Sequence, residues 1–422
     1  MERQLTNHGF YGTITLYIQG IFRMNERPKG EHLTMKHLNR EKLTELLTKR
    51  TAEDMADGRI GGTGLCVMQD GKEIYKAYSG KWSYGQDIPL TEENGDTTIF
   101  RLASMTKPIT AIAVLIQVSR GKLGLDQPVT DLLPQFSDMW VGELKDDRVV
   151  AKEPAKRLLT PRILLSHQNG LHAGELGNRQ GLGSDEDRQD LEHVVNYFST
   201  LKLDFQPTEA QMYSATAAFD VCARLVELTS GMPYNEFVTK EIFQPLGMKD
   251  TTFTPSDDQW SRFIIMHNRK ETNGHGESED GATHPGCIFE NFPLTWFSGG
   301  AGLASTLPDY VKFAEMLVNC GRLPDGTQLV PEELIREMGT PWVPFEVMPA
   351  WERWGLGVRV ITDERHWLPV TTFGWSGAYG SHFWVDPVNK ITAVYMKNSR
   401  YDGGAGSQTS IHFEQDVYAC LE

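Results

Sequence analysis

Basic residues are in short supply. The 422-residue chain sets 41 Lys and Arg against 56 Asp and Glu, a formal net charge of −15. A surface of that sign repels phosphate, which argues against nucleic acid or an anionic membrane surface as a partner. Cysteine is scarce as well. Cys66, Cys222, Cys287, Cys320 and Cys420 are odd in number, scattered and without a CxxC pair. Such a set suits reduced thiols in a cytoplasmic protein better than a disulfide framework. No apolar run approaches the roughly 20 residues that span a bilayer. Ile14–Phe22 is mildly apolar, but it lacks a basic n-region and a small-residue cleavage site, so it does not read as a signal peptide. Repeats and low-complexity tracts are absent. Gly299-Gly300-Ala301-Gly302 lacks both the GxGxxG spacing and the preceding strand of a phosphate cradle, and a tight turn is expected there. His275 and His284 lie among acids in a polar stretch, 267–286, that reads as a long surface loop. Their spacing matches no metal-ligand pattern, so no metal or other cofactor is expected.

What the chain does contain is ordered by apolar periodicity. Residues 1–37 differ in composition from the rest and are set apart as an N-terminal extension. Asn39–Ala56 predicts an amphipathic helix with Leu43, Leu46 and Leu47 on one face. Thr63–Gln69 and Glu73–Tyr78 predict a hairpin across Asp70-Gly71. Residues 122–215 show helix and loop with little strand character. Leu158–His167 contains a Pro-initiated helix, Ala217–Leu228 another and Tyr234–Phe243 a third; Thr306–Leu317 follows the glycines. From Gly355 the pattern turns to strands, at Leu356–Ile361, Val370–Phe373, Ser381–Val385 and Ile391–Met396, before a closing helix over Ile411–Leu421. Strands at both chain ends with helices between them predict an α+β fold. One mostly antiparallel sheet, 38–121 with 290–422, is flanked by helices and carries an inserted, mainly helical domain, 122–289.

The stretch that organises the chain is Phe100–Pro108 with the apolar run Ile109–Val118. Proline is tolerated only in a helix's first turn, so Pro108 places the helix start close to Ser104. Gly121 then marks its end. Residues three apart share a helix face, which lets the Lys107 amine reach the Ser104 hydroxyl. A serine at a helix N-terminus also lies among unpaired amides at the positive end of the dipole, a place suited to an alkoxide or oxyanion. Taken alone, the short pattern reads first as a helix cap and a solvated lysine. His167, before Asn169-Gly170 at a helix end, reads as a capping residue rather than a catalytic base.

Two later triplets change the weighting. Tyr213-Ser214-Ala215 stands just before a helix, and Gly374-Trp375-Ser376-Gly377 at the end of a late strand. With Ser104-Met105-Thr106-Lys107 these resemble, in order, the landmarks of the serine β-lactamase-like superfamily. The resemblance is to the class C β-lactamase branch with its family VIII carboxylesterases and penicillin-binding D,D-peptidases. Leu158–Leu171, Pro207–Tyr213, Phe243–Met248 and Gly299–Phe313 extend it over residues 38–420. It implies a β-lactamase/transpeptidase-like fold with the active site between sheet and helical domain. It further implies Ser104 as nucleophile, Lys107 and Tyr213 sharing proton transfer, and an oxyanion hole from the N–H groups of Ser104 and Ala378. Ala215, Trp375, Ser376 and Gly377 would meet the substrate. A serine hydroxyl is a weak nucleophile without a base, and a Lys–Tyr pair acting as a unit can serve.

Two departures bear on substrate. Ala215 stands where β-lactamases and penicillin-binding enzymes carry Asn, and Trp375 stands where they carry a cation. Indole has one donor and no charge, so recognition of a β-lactam or a peptide carboxylate is weakened. Trp-x-Gly resembles the esterase members. The expected function is therefore a cytoplasmic serine hydrolase that cleaves or transfers the acyl group of small carboxylic esters through an acyl-enzyme. The alternatives are a weak β-lactamase or D-amino-acid peptidase, and a catalytically idle binding homologue. Trp375 is expected at the end of an edge-side strand as an apolar pocket wall; a plain core aromatic is the other reading. The expected partner is a small-molecule ester.

Overall fold

The computed structural model describes residues 35–272, 275–280, 294, 296–348, 350–399, 401–404 and 406–422, with side chains of 269–278 excepted. Residues 37–422 form one compact unit. The expected extension, 1–37, lies almost wholly outside the described residues, as do His284, Cys287 and the His275 side chain.

Helix α1 (Arg40–Ala56) starts on Asn39, whose side chain accepts the Lys42 N–H. Strands β1 (Gly62–Gln69) and β2 (Lys72–Ser83) pair antiparallel across Asp70-Gly71, both residues with positive φ, and β3 (Ile88–Pro89) adds beside β2. Helix α2 (Thr106–Ser119) follows. Every residue from Thr106 to Gln117 is buried, as suits a core helix rather than a surface one. It closes at Arg120 and Gly121, the glycine in the left-handed region with its N–H on the Val118 carbonyl. The middle of the chain supplies β4 (Trp140–Lys145), β5 (Arg148–Pro154), α3 (Pro161–Leu165), α4 (Leu191–Phe198), α5 (Ala217–Ser230), β6 (His267–Thr272) and β7 (His275–Asp280). The last part gives α6 (Leu307–Val318), β8 (Glu352–Trp354), β9 (Arg359–Ile361), β10 (Phe373–Ser376), β11 (His382–Asp386), β12 (Ile391–Lys397) and α7 (Gln408–Tyr418).

Eight strands make one antiparallel sheet in the order β8-β9-β10-β11-β12-β1-β2-β3. The two chain ends meet where β1 pairs with β12, from Thr63↔Lys397 to Gln69↔Ile391. Side chains alternate across the pleat. Phe373, Phe383, Val394 and Met396 pack toward α2 and α6 in the larger core. Trp384, Ala393 and Tyr395 pack toward α1 and α7 through Leu43, Leu47, Phe413 and Val417. The architecture is the expected α+β one, an antiparallel sheet flanked by helices.

Three local expectations are corrected. Residues 140–154 form a hairpin, β4–β5, whose turn is Asp146-Asp147 with both φ positive. Aspartate tolerates that region, but the pair is a weaker signal than Asp-Gly. Residues 267–272 and 275–280 are not loop but the paired antiparallel strands β6 and β7. Both strands are polar throughout, so no apolar alternation marks them in the sequence. The late strand runs over Phe373–Ser376 rather than Val370–Phe373, because Thr371 takes a φ of 80° and breaks the extension before it. Gly374 inside that strand is required by closeness: a Cβ there would lie 2.0 Å from the Phe383 carbonyl oxygen.

Candidate active site

The site begins where the chain enters α2. Leu102 donates its N–H to Leu303 O at 2.9 Å, and the short ladder Phe100–Arg101 with Ala304–Ser305 fixes the approach. Ala103 then adopts φ 45°, a conformation a non-glycine residue holds only when its surroundings impose it. A short helical turn over Ala103–Met105 leads into α2 and presents Ser104 half-buried. On the other side Gly377 presses on this turn. A Cβ there would stand 2.2 Å from Leu102 O, and Ser381 Oγ donates to the same carbonyl at 3.2 Å. The end of β10, and with it the exposed Ala378, is thereby held against the Ser104 turn.

Lys107 is completely buried. Burying an ammonium is costly unless it is fully coordinated. Its Nζ lies 3.2 Å from Ser104 Oγ, 2.6 Å from Ala215 O and 2.8 Å from Gly300 O. It also sits 4.8 Å from the Tyr213 ring centre and 5.2 Å from that of Phe219, where the ring faces attract a cation. The solvated-lysine reading is therefore corrected: the amine is held at one place by two carbonyls, and its third direction is toward Ser104. The glycines make this reach possible, since a Cβ on Gly300 would lie 2.8 Å from Ala215 O.

Tyr213 and Ala215 come from the loop before α5. The Ala215 carbonyl goes to Lys107 while its methyl group is exposed. The Tyr213 hydroxyl receives the Trp375 indole N–H at 3.2 Å. The Trp375 ring packs 5.4 Å from Tyr213 and 4.4 Å from Trp354, centre to centre. Trp375 thus spends its only donor on Tyr213. Strand β10 has β9 and β8 outside it, so Trp375 is not near an edge. The extra outer strand is the three-residue Glu352–Trp354, too short to show an alternating pattern in the sequence.

His167 was missed as a site neighbour. It follows α3 with φ 58° and is fully buried. Its Nδ1 accepts the Ser214 N–H at 3.0 Å, and its ring lies 4.7 Å from Tyr213 and 4.2 Å from Trp354. Burial, with the Lys107 charge adding to it, holds the imidazole well below its ordinary value, so it stays neutral. The signal in the sequence was a histidine beside Asn169-Gly170, which makes a positive φ and a buried turn plausible; nothing there named Ser214 as its partner.

Ser376 is corrected. Neighbouring residues of a strand face opposite ways, and its hydroxyl points away from Trp375, 2.6 Å from His382 Nδ1. His382 Nε2 lies 2.9 Å from Glu414 Oε1, and Glu414 also takes bonds from Arg359 and the Trp367 indole. Ser376, His382 and Glu414 are each 3% exposed or less. The Ser376 side chain therefore belongs to the packing beneath α7, not to a substrate surface. Among the described residues no group of three or more His, Cys, Asp or Glu is placed to hold a metal ion. No described helix is long and apolar enough to cross a membrane.

Known proteins match the chain over most of its length. The chain is 28% identical to Esterase EstB of Burkholderia gladioli, covering 86% of this chain and 92% of that one. It is 26% identical to lovastatin esterase of Penicillium rubens, covering 86% and 95%. Among solved structures, that of EstCE1, a hydrolase with promiscuous acyltransferase activity, aligns with a TM-score of 0.73 at 24% identity, over 90% of this chain and 99% of that one. This likeness is one of fold. The family model described as Beta-lactamase matches residues 47–412, and the chain belongs to the β-lactamase family.

Proposed function

We propose that this protein is a serine hydrolase or acyltransferase that carries the acyl group of small carboxylic esters on Ser104 Oγ. The observation that carries the reading is the buried Lys107 amine. Two of its directions are taken by the carbonyls of Ala215 and Gly300, and the third meets Ser104 Oγ at 3.2 Å. In the amine form its lone pair faces that hydroxyl. Ser104 Oγ then attacks the ester carbonyl carbon, its proton passes to Lys107, and the new C–O bond forms as the oxygen takes up charge. The N–H groups of Ser104 and Ala378 are the donors assigned to that oxyanion. Collapse breaks the bond to the alcohol oxygen, which leaves with a proton delivered through Lys107 and Tyr213. The Trp375 donor leaves the Tyr213 O–H free to face the leaving group. Water or a second alcohol repeats the steps in reverse and restores Ser104.

The esterase names of the two curated relatives support the ester assignment, as does the absence of a cation at Trp375. The test is a panel of aryl esters beside a chromogenic cephalosporin, with mass spectrometry of the trapped adduct. An acyl or fluorophosphonyl group on a peptide containing Ser104 is the expected result. An adduct elsewhere, or none with any ester, overturns the reading.

A further inference from the structure

We infer that Asp220 is a positioning residue for Lys107, acting through the 296–300 segment that grips the amine. The inference rests on the function proposed above.

The segment is clamped between two helices. On α2, Lys107 and Thr110 lie one turn apart on the same face. Lys107 Nζ donates to the Gly300 carbonyl at 2.8 Å and Thr110 Oγ1 to the Gly299 carbonyl at 2.7 Å. On α5, the fully buried Asp220 accepts three bonds from the same segment. Trp296 Nε1 donates at 3.0 Å, Ser298 Oγ at 2.5 Å and the Gly300 N–H at 3.2 Å. The peptide between Gly299 and Gly300 therefore bridges Thr110 to Asp220, and the next carbonyl points at Lys107. Both glycines are pressed on α5 and the turn before it. A Cβ at 299 would lie 2.3 Å from Phe219 O, and one at 300 would lie 2.8 Å from Thr216 Cα. Asp220 is thus a carboxylate bonded to three residues of the segment. A buried carboxylate with three donors is an anchor whose strength depends on its charge, since bonds to an ionised acceptor are about twice as strong as neutral ones.

That dependence gives a readout. Burial lifts the Asp220 carboxyl to about 6, against the opposing bonds from Ser298, Trp296 and Gly300 and the Lys107 charge. Around it stand Lys107 on α2, Tyr234 on the helix Tyr234–Val238, Cys222 on α5 and His167 beyond Phe219. Burial raises the Tyr234 phenol and the Cys222 thiol and lowers the His167 imidazole, so none of those three titrates with Asp220. Protonating Asp220 loosens the grip on Gly300, and turnover falls with it.

The experiment measures kcat and KM from pH 4.5 to 8 for the parent, D220N and S298A, with fluorophosphonate labelling of the parent at Ser104. In the parent, log kcat gains one extra proton's slope below about pH 6. D220N lowers kcat about 10- to 100-fold with KM little changed, the scale of a misplaced catalytic group, and loses that extra slope. S298A keeps the charge but removes one bond that lowers the carboxyl's value, so the step moves to higher pH with a smaller loss of kcat. If D220N does not fold, S298A carries the test. A step that stays in place in S298A, or survives in D220N, overturns the inference. If the parent fails to label at Ser104, the function proposed above falls instead.

Discussion

Strand β10 separates two serines, each bonded to a basic nitrogen, and by distance alone the one left out of the proposed mechanism looks the better nucleophile. On the α7 side, Ser376, His382 and Glu414 lie in a row at 2.6 and 2.9 Å. On the α2 side, Ser104 stands 3.2 Å from Lys107. Hydrogen-bond geometry is shared by packing and by catalysis. Access and charge distinguish the two. The Ser376 row is sealed, and Glu414 is neutralised by Arg359, so nothing in it is free to receive a proton from a substrate. Ser104 is half-buried at a helix N-terminus, next to an amine that packing holds at one spot.

The sharpest way to break this contrast is to remove each serine in turn. Ser104→Ala should lower ester turnover by on the order of 10⁴-fold or more and abolish fluorophosphonate labelling. Ser376→Ala should leave labelling intact and cost about 1 kcal/mol of stability for the lost hydrogen bond. Turnover that survives the first change, or vanishes in a folded second variant, would reverse the assignment of the two faces. Next in size, Lys107→Ala should reduce turnover by at least ~100-fold, the scale of positioned proton transfer. Near-normal rates in that variant would make the buried amine a structural pin only.

The other face is sharpened by acid. Burial pushes Glu414 up, but Arg359 and His382 together hold it at about 2, against an ordinary 4.5. A depressed carboxyl stabilises the fold fully above about pH 4.5, and that stabilisation fades as pH falls through 2. A difference of this size corresponds to on the order of 3 kcal/mol. Glu414→Gln should therefore unfold more readily than the parent at pH 7, with the gap narrowing by pH 3 in denaturant titrations. Activity per folded molecule should be preserved. A gap independent of pH would show that Glu414 serves through shape rather than charge.

How much of this was legible beforehand follows the range of the interactions. Pro108 and Gly121 bracket α2 because caps and proline act within one turn. Asp70-Gly71 marked its hairpin for the same reason. Ser104, Lys107, Tyr213, Ala215 and Trp375 lie together in the structure, as the motif resemblance implied. What stayed dark is contact at a distance. Ser376 and Trp375 are adjacent in sequence, and only the pleat with its partner strands tells which one faces the Ser104 turn. His167 and Asp220 carry no motif of their own. Their partners, Ser214 and the 296–300 segment, are 47 and about 80 residues away.

The smallest expected effect concerns Trp375, where two roles can be separated. Its ring packs on Trp354 and Tyr213, and its N–H reaches the Tyr213 hydroxyl. Trp375→Phe keeps most of the ring and removes the donor. One neutral hydrogen bond is worth about 1 kcal/mol, so kcat should fall roughly fivefold with KM little changed. Trp375→Ala removes the ring as well. Where the ring touches substrate, that change should raise KM for bulky apolar esters more than for acetates, because a ring contact contributes on the order of 1–3 kcal/mol. Trp375→Lys places a cation at the same position and should shift preference toward carboxylate-bearing substrates over matched neutral esters. The Phe variant is the decisive one of the three. Loss of kcat there, with substrate ranking intact, assigns the indole to Tyr213. An unchanged kcat, with ranking altered only in the Ala variant, assigns it to the pocket wall, as the sequence first suggested.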